Sequence, residues 1–162
     1  MSSDKIEHGL FTFYKEHLPS KLDIFIELGV YKGESLNEFS KWWSNAKIIG
    51  VDICNPSVPL NNNVAFIKMS QDDKSLKTTL PSNVDVILDD ASHEVELTKK
   101  SFEILWNNVK SGGCYIIEDV HKDVLPGMWK LTEDIIKKYN IKKYKYFIKD
   151  TLPVASSVIL WK

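Results

Sequence analysis

Two short segments carry most of the chain's chemical potential: Asp89-Asp90-Ala91-Ser92-His93 and Glu118-Asp119-Val120-His121. Each follows an apolar run, Val84 to Leu88 and Cys114 to Ile117, that reads as a buried strand. Neighbouring strands lie about 4.8 Å apart, so their two ends bring Asp90, Glu118 and Asp119 into one small volume. Carboxylates so placed repel one another unless a cation sits among them. Oxygen ligation favours Mg²⁺, with Mn²⁺ or Ca²⁺ as alternatives, and neither cysteine is placed to make a zinc site. Asp89 and Asp90 point to opposite sides of their strand, so one of them joins the metal, and the spacing to His93 favours Asp90. An imidazole with a pKa near ~6.5 accepts a proton at neutral pH, and a metal makes a nearby hydroxyl easier to deprotonate. The expected chemistry is activation of a hydroxyl group by His93 beside a metal.

A second constellation lies nearer the N-terminus. Glu27-Leu28-Gly29-Val30-Tyr31-Lys32-Gly33 joins a strand, Ile24 to Leu28, to a helix that starts at about Glu34. Glycines let such a loop turn tightly and approach a ligand closely. The spacing is not G-x-G-x-x-G, and Glu27 would repel a pyrophosphate while suiting an amine-bearing ligand. Asp52 closes the next strand, Lys47 to Val51, where an acid suits a pair of ribose hydroxyls. Ser70-Gln71-Asp72, after a third strand at Val64 to Ile67, offers polar contacts to an adenine edge.

The elements that must position these residues alternate between strand and helix. Leu36, Phe39, Trp42 and Trp43 mark one helix, and Leu131, Ile135, Ile136 and Tyr139 another. Between them Val95, Thr98, Phe102, Leu105, Trp106 and Val109 fall at helical spacing, with Ser111-Gly112-Gly113 as the expected stop. Tyr144 to Ile148 and Ser157 to Leu160 can pair as a terminal hairpin, and an amphipathic segment, Ile6 to His17, precedes everything. The pattern predicts an α/β fold: a doubly wound, mostly parallel sheet with helices on both faces and a C-terminal antiparallel hairpin. Ligands of such sheets gather at the carboxyl ends of the strands, where all the residues above lie. The 162 residues suit one domain, 1–162.

Composition narrows the partners. The net charge is −1, and all 21 basic residues are lysines, which counts against nucleic acid as a ligand. No apolar run approaches the ~20 residues of a membrane span, and the N-terminus lacks a secretory core, so a cytoplasmic location is expected. Cys54 and Cys114 are expected on strands three positions apart, roughly 14 Å, too far for a disulfide. His121 reads as a loop histidine near the substrate, and His8 and His17 as surface or packing residues. The lysines from Lys137 to Lys149 read as a solvated face. Trp129, beyond a Pro126-Gly127 loop, either packs or lines an acceptor pocket.

With these residues the chain resembles, over nearly its whole length, the class I methyltransferases that bind S-adenosylmethionine. The resemblance implies a Rossmann-like sheet in which Glu27, Gly29, Tyr31 and Gly33 border the amino-acid part of the cofactor. It implies that Asp52 holds the ribose, that Ser70, Gln71 and Asp72 lie against the adenine, and that Asp89 belongs to the cofactor side. Many members have glycine where Tyr31 stands. The Asp-x-x-His and Glu-Asp segments are similar to those of metal-dependent O-methyltransferases acting on macrolide sugars, including the macrocin and mycinamicin enzymes. Relatives described as cephalosporin hydroxylases carry a similar Asp-x-Ser-His segment. By this resemblance Asp90, Glu118 and Asp119 hold Mg²⁺ (or Mn²⁺), His93 is the base, and the acceptor is a saccharide or glycosylated metabolite. Catechol-type methyltransferases pair Asp with Asp-Asn and use a lysine base, a pattern from which Glu118-Asp119 departs; a catechol, which offers a metal the same two-oxygen bite as vicinal sugar hydroxyls, is the leading alternative acceptor. A non-catalytic nucleotide-binding module would keep Gly29 and Asp52 but have no need of the acids and His93. A homo-oligomer is compatible with either reading.

Overall fold

The computed structural model describes residues 4–151 and 154–162. The chain opens with two short helices, α1 (Asp4–His8) and α2 (Leu10–His17). Gly9 separates them at φ 81°, a left-handed conformation that glycine adopts freely, so the amphipathic Ile6 to His17 stretch is broken there. Then follow β1 (Ile24–Leu28), α3 (Glu34–Trp42), β2 (Lys47–Asp52), β3 (Val64–Lys68) and a short α4 (Leu76–Thr79). The chain continues through β4 (Val84–Asp89), α5 (Val95–Leu105), β5 (Val109–Glu118) and α6 (Pro126–Lys138) to a hairpin of β6 (Lys143–Lys149) and β7 (Ala155–Trp161).

The strands form one sheet in the order β3-β2-β1-β4-β5-β7-β6. β1 to β5 run parallel, and β7 is antiparallel to both β5 and β6, as the doubly wound pattern with a terminal hairpin predicts. Strand side chains alternate between faces, and the sequence uses both. Phe25, Ile48, Val86 and Ile116 pack with Phe11, Tyr14, Phe39 and Trp43 on the side of α2 and α3. Ile26, Ile49, Ile87 and Tyr115 pack with Phe102, Leu105, Leu131 and Ile135 on the side of α5 and α6. Each such large apolar side chain contributes about 1.5–3 kcal/mol by leaving water.

Three local expectations are corrected. The fifth helix ends at Leu105, not beyond Val109, and a 3-10 turn at Trp106–Asn108 leads directly into β5. Ser111, Gly112 and Gly113 therefore lie within a strand, where the register slips between the pairs Val84–Val109 and Val86–Cys114. Gly112 takes φ 79° at that irregularity and donates to Lys162 O at 2.9 Å, so the glycines serve a bulge rather than a helix stop. Pro126 opens α6 at its first turn, where its missing N–H costs nothing, so Pro126-Gly127 is not a loop. Cys54 lies exposed in the loop after β2 rather than on a strand, whereas Cys114 is buried in β5; both are free thiols.

Register aligns the catalytic end. Leu28 pairs with Val51 on one side and Asp89 on the other, and Asp89 pairs with Ile117. Gly29, Asp52, Asp90 and Glu118 thus emerge side by side at the carboxyl edge. Among the described residues, no helix is long and apolar enough to cross a membrane.

Candidate active site

The Gly29 turn is built by close contact. Gly29 N donates to Val51 O and Asp90 N to Leu28 O, each at 2.9 Å, which draws the β1 and β4 ends together. A Cβ on Gly29 would lie 2.1 Å from Asp90 O, and its φ is 83°, so both space and backbone demand glycine. Asp52 fastens the loop from the other side: Oδ2 accepts from Val30 N at 2.8 Å and Tyr31 N at 2.9 Å. Tyr31 itself sits at φ 50°, the conformation that explains the glycine found there in resembling proteins.

Two cavities flank this turn, and Gly29 and Ala91 line both. The smaller, about 200 Å³, lies over β2 and β3 and is walled by Asp52, Ile53, Met69, Ser70, Gln71 and Leu97. Its mix of apolar walls and polar edges suits a nucleoside. Gln71 is ordered by Ser92 N, which donates to its Oε1 at 3.1 Å. Asp72 stands beside this cavity, held by Ser70 Oγ at 2.7 Å and by Lys100. Gly33 caps α3 and packs toward Pro56 and Leu60, away from the walls.

The larger cavity, about 330 Å³, contains Asp90, His93, Glu118, Asp119, Tyr31 and, from α1, Lys5 and His8. Asp90, His93 and Asp119 each offer a ligand atom within 4.8 Å of the others. His93 Nδ1 lies 3.0 Å from Asp119 Oδ2, while Nε2 is 3.7 Å from Asp90 Oδ1. The Asp119 hydrogen bond, acting against burial and aided by Asp90, raises the His93 pKa above the ordinary value. Burial pushes the Asp119 carboxyl up, but His93 outweighs it and holds the carboxyl low. His93 and Asp119 both have left-handed backbones, φ 55° and 54°, a cost of about 1–3 kcal/mol each that functional sites commonly carry.

Glu118 is engaged differently from the sequence expectation. It is buried, with Oε1 accepting from Tyr14 OH at 2.7 Å and Oε2 from Lys5 Nζ at 2.8 Å. Lys5 also bonds Asp90 Oδ2 and approaches Glu27 Oε1 at 4.0 Å. Burial alone would depress the ammonium, yet Asp90, Glu118 and Glu27 hold its pKa well above the ordinary value. Glu118 in turn is pushed up to about 7 by burial and by Asp90, with Lys5 opposing. Glu27 is fully buried; burial raises it to about 8 despite Lys5, and its Oε1 has no hydrogen-bond partner while Oε2 accepts from Ser35 at 2.9 Å. Glu27 lines neither cavity, and Lys5 Nζ stands 4.0 Å from that oxygen.

Asp89 faces away from both cavities. It is buried under α5, bonded to Ser101 and to Tyr115 OH at 2.8 Å, and burial raises it to about 6. The strand's alternation that puts Asp90 in the site turns Asp89 into the core, so a place against the cofactor does not follow from this geometry. His121 is also structural: buried, with Nε2 2.9 Å from Asp150. Trp129 stacks on Tyr146 at 4.4 Å and lines neither cavity. Lys5 and His8 line the site without standing among the candidate residues above. The partners of Lys5, Asp90 and Glu118, lie far along the chain.

No family model matches the chain. Among curated proteins it is similar to demethylmacrocin O-methyltransferase of Streptomyces fradiae, 31% identical over 98 residues, 59% of this chain and 25% of the relative. It is also similar to mycinamicin VI 2''-O-methyltransferase of Micromonospora griseorubida, 30% identical over 112 residues, 63% of this chain and 28% of the relative. The chain thus spans about a quarter of the length of these curated relatives. Among solved structures, the MycE methyltransferase of the mycinamycin biosynthetic pathway, in complex with Mg, SAH and mycinamycin VI, superposes with a TM-score of 0.69. That match has 21% identity and covers 97% of this chain and 49% of the other. The chain has the class I methyltransferase fold. Within that fold, the Gly29 loop, the Asp52 strand end and the Asp90–Asp119 cluster occupy one continuous carboxyl edge.

Proposed function

We propose that this methyltransferase-fold chain moves a methyl group from S-adenosylmethionine to a hydroxyl of a saccharide or glycosylated metabolite, with a divalent metal at the acceptor. The observation that carries the reading is the junction at Gly29 and Ala91, where a nucleoside-sized cavity opens beside the Asp90, His93 and Asp119 cluster. When bound, S-adenosylmethionine supplies an electrophilic sulfonium methyl. Asp52 and Gln71 would hold its ribose and adenine, and Glu27 Oε1, which has no hydrogen-bond partner, would answer its ammonium from behind the Gly29 loop.

Asp90 and Asp119, with Glu118 behind them, would hold Mg²⁺ or Mn²⁺, whose charge favours loss of a proton from a hydroxyl. Hard carboxylate oxygens with one imidazole nearby suit such an ion. His93 receives the proton. Its Nδ1 is turned to Asp119, which fixes the tautomer and leaves Nε2, beyond hydrogen-bond distance from Asp90, facing the cavity. The remaining task is alignment, for which the strained His93 and Asp119 backbones and the rigid strand ends are suited. A saccharide or glycosylated acceptor is favoured by the named relatives, which are O-methyltransferases of demethylmacrocin and of mycinamicin VI. We further propose that the chain forms one catalytic domain.

The test is transfer of labelled methyl from S-adenosylmethionine to simple glycosides and to catechols, with chelator and with added Mg²⁺. Glycoside methylation that stops with chelator and returns with Mg²⁺ is expected. Methylation of catechols alone would overturn the saccharide assignment, full turnover in excess chelator the metal, and absence of cofactor binding to folded protein the whole reading.

A further inference from the structure

We infer that Lys5 is the metal site's own stand-in cation, and that a divalent ion entering between Asp90 and Glu118 expels it and releases α1 from the cavity. The inference rests on the metal reading above and adds to it a moving part. Lys5 Nζ bonds both Asp90 Oδ2 and Glu118 Oε2, and it is buried with only 4% of its surface exposed. A divalent ion approaches carboxylate oxygens to about 2.0–2.6 Å. It would use the same lone pairs from the same volume, so the two cations exclude each other by contact and by charge.

The rest of α1 is poorly anchored. Ile6 and Glu7 are exposed and His8 is half-buried, so Lys5 is the buried side chain of the described part of this helix. A further tie runs from Lys149 Nζ to Glu7 O at 3.1 Å, at the surface. A helix of one turn has no stability of its own, and Gly9 at φ 81° separates it from α2. Among the described residues, the buried contact that ties α1 to the site is therefore the Lys5 ammonium. Lys5 and His8 also form a wall of the larger cavity, so releasing α1 widens the side from which an acceptor hydroxyl would reach His93. Metal loading and opening of the acceptor side are in this way one event.

The experiment is lysine footprinting by an N-hydroxysuccinimide acetate pulse, read by mass spectrometry on the intact chain, together with calorimetric titration of Mn²⁺. In chelator, Lys5 should acetylate slowly while the exposed Lys47 acetylates freely; at saturating Mn²⁺, Lys5 should react at least tenfold faster and Lys47 unchanged. Lys5→Met should bind Mn²⁺ at least tenfold more tightly than wild type, because no resident cation has to leave. If that variant fails to fold, the wild-type footprint decides alone. Mn²⁺ binding to wild type with Lys5 still protected overturns the inference and leaves the metal reading standing. No Mn²⁺ binding to either protein overturns the metal reading and the inference with it.

Discussion

The two ends of the same sheet treat their acids in opposite ways. At the amino end, Asp85 is buried and fully answered: Oδ2 accepts from Asp23 N and Ile24 N at 2.9 Å each, and Lys110 pairs with Oδ1. Burial pushes its carboxyl up, but Lys110 and the two amides outweigh this and hold it below the ordinary value. At the carboxyl end, Asp90, Glu118 and Glu27 share one ammonium, Glu27 keeps an unpartnered oxygen, and burial lifts Glu118 and Glu27 to about 7 and about 8. Non-glycine residues with left-handed backbones occur at both ends, Tyr31, His93 and Asp119 here and Asn83 at the amino end of β4. An acid with a cation and two amides of its own is held low, whereas buried acids that share one cation are lifted by burial and by one another.

The largest break in that comparison is kinetic. His93→Ala should lower kcat by about 10²–10⁴, the usual contribution of a positioned base, with cofactor affinity retained. Asp85→Ala, at the other end, should leave kcat within about twofold of wild type once the protein is folded, since it touches no cavity wall. Steady-state kinetics on both variants, with binding titrations of S-adenosylhomocysteine, decide this; equal losses would dissolve the distinction.

A glycine at each end sharpens it further. Gly29 and Gly112 have similar φ values, 83° and 79°, but a Cβ on Gly29 meets Asp90 O at 2.1 Å while one on Gly112 meets nothing within 4 Å. Gly112→Ala should therefore cost about 1–2 kcal/mol, the backbone penalty alone. Gly29→Ala adds a collision with backbone that cannot move without dragging Asp90, so it should cost clearly more and abolish cofactor binding. Urea unfolding of both variants gives the two numbers side by side.

A last test of the comparison is a pH dependence. Asp85 has a folded pKa below that of the unfolded chain, ordinarily about 3.9, so its contribution is present above that value and fades as pH falls through the depressed one. Asp85→Asn should cost about 1–3 kcal/mol at pH 7, and the gap to wild type should close as the pH falls below about 3. Unfolding free energies measured across this range test the sign: a gap that widened in acid would contradict it.

The strand ends were legible because their signals are local. An apolar run, its closing acid and the period-two alternation lie within a few residues, which is enough to place Gly29, Asp52, Asp90, Glu118 and Asp119 on one edge and to turn Asp90 away from Asp89. Glycine was a less reliable guide at Ser111-Gly112-Gly113, since a helix stop and a strand bulge call for the same residue, and only pairing of Val84 with Val109 separates them.

What the sequence by itself determined is the doubly wound sheet and the edge on which its acids gather, for strand and helix periods are written residue by residue. What tertiary structure alone decided is the company those acids keep. Lys5 reaches Asp90 and Glu118 across 85 and 113 positions, Tyr14 reaches Glu118 across 104, and His93 leans on Asp119 from a different strand end. Contacts at such separations leave no periodic trace in the chain, because they depend on where the packed sheet and α2 carry α1 rather than on any residue's neighbours.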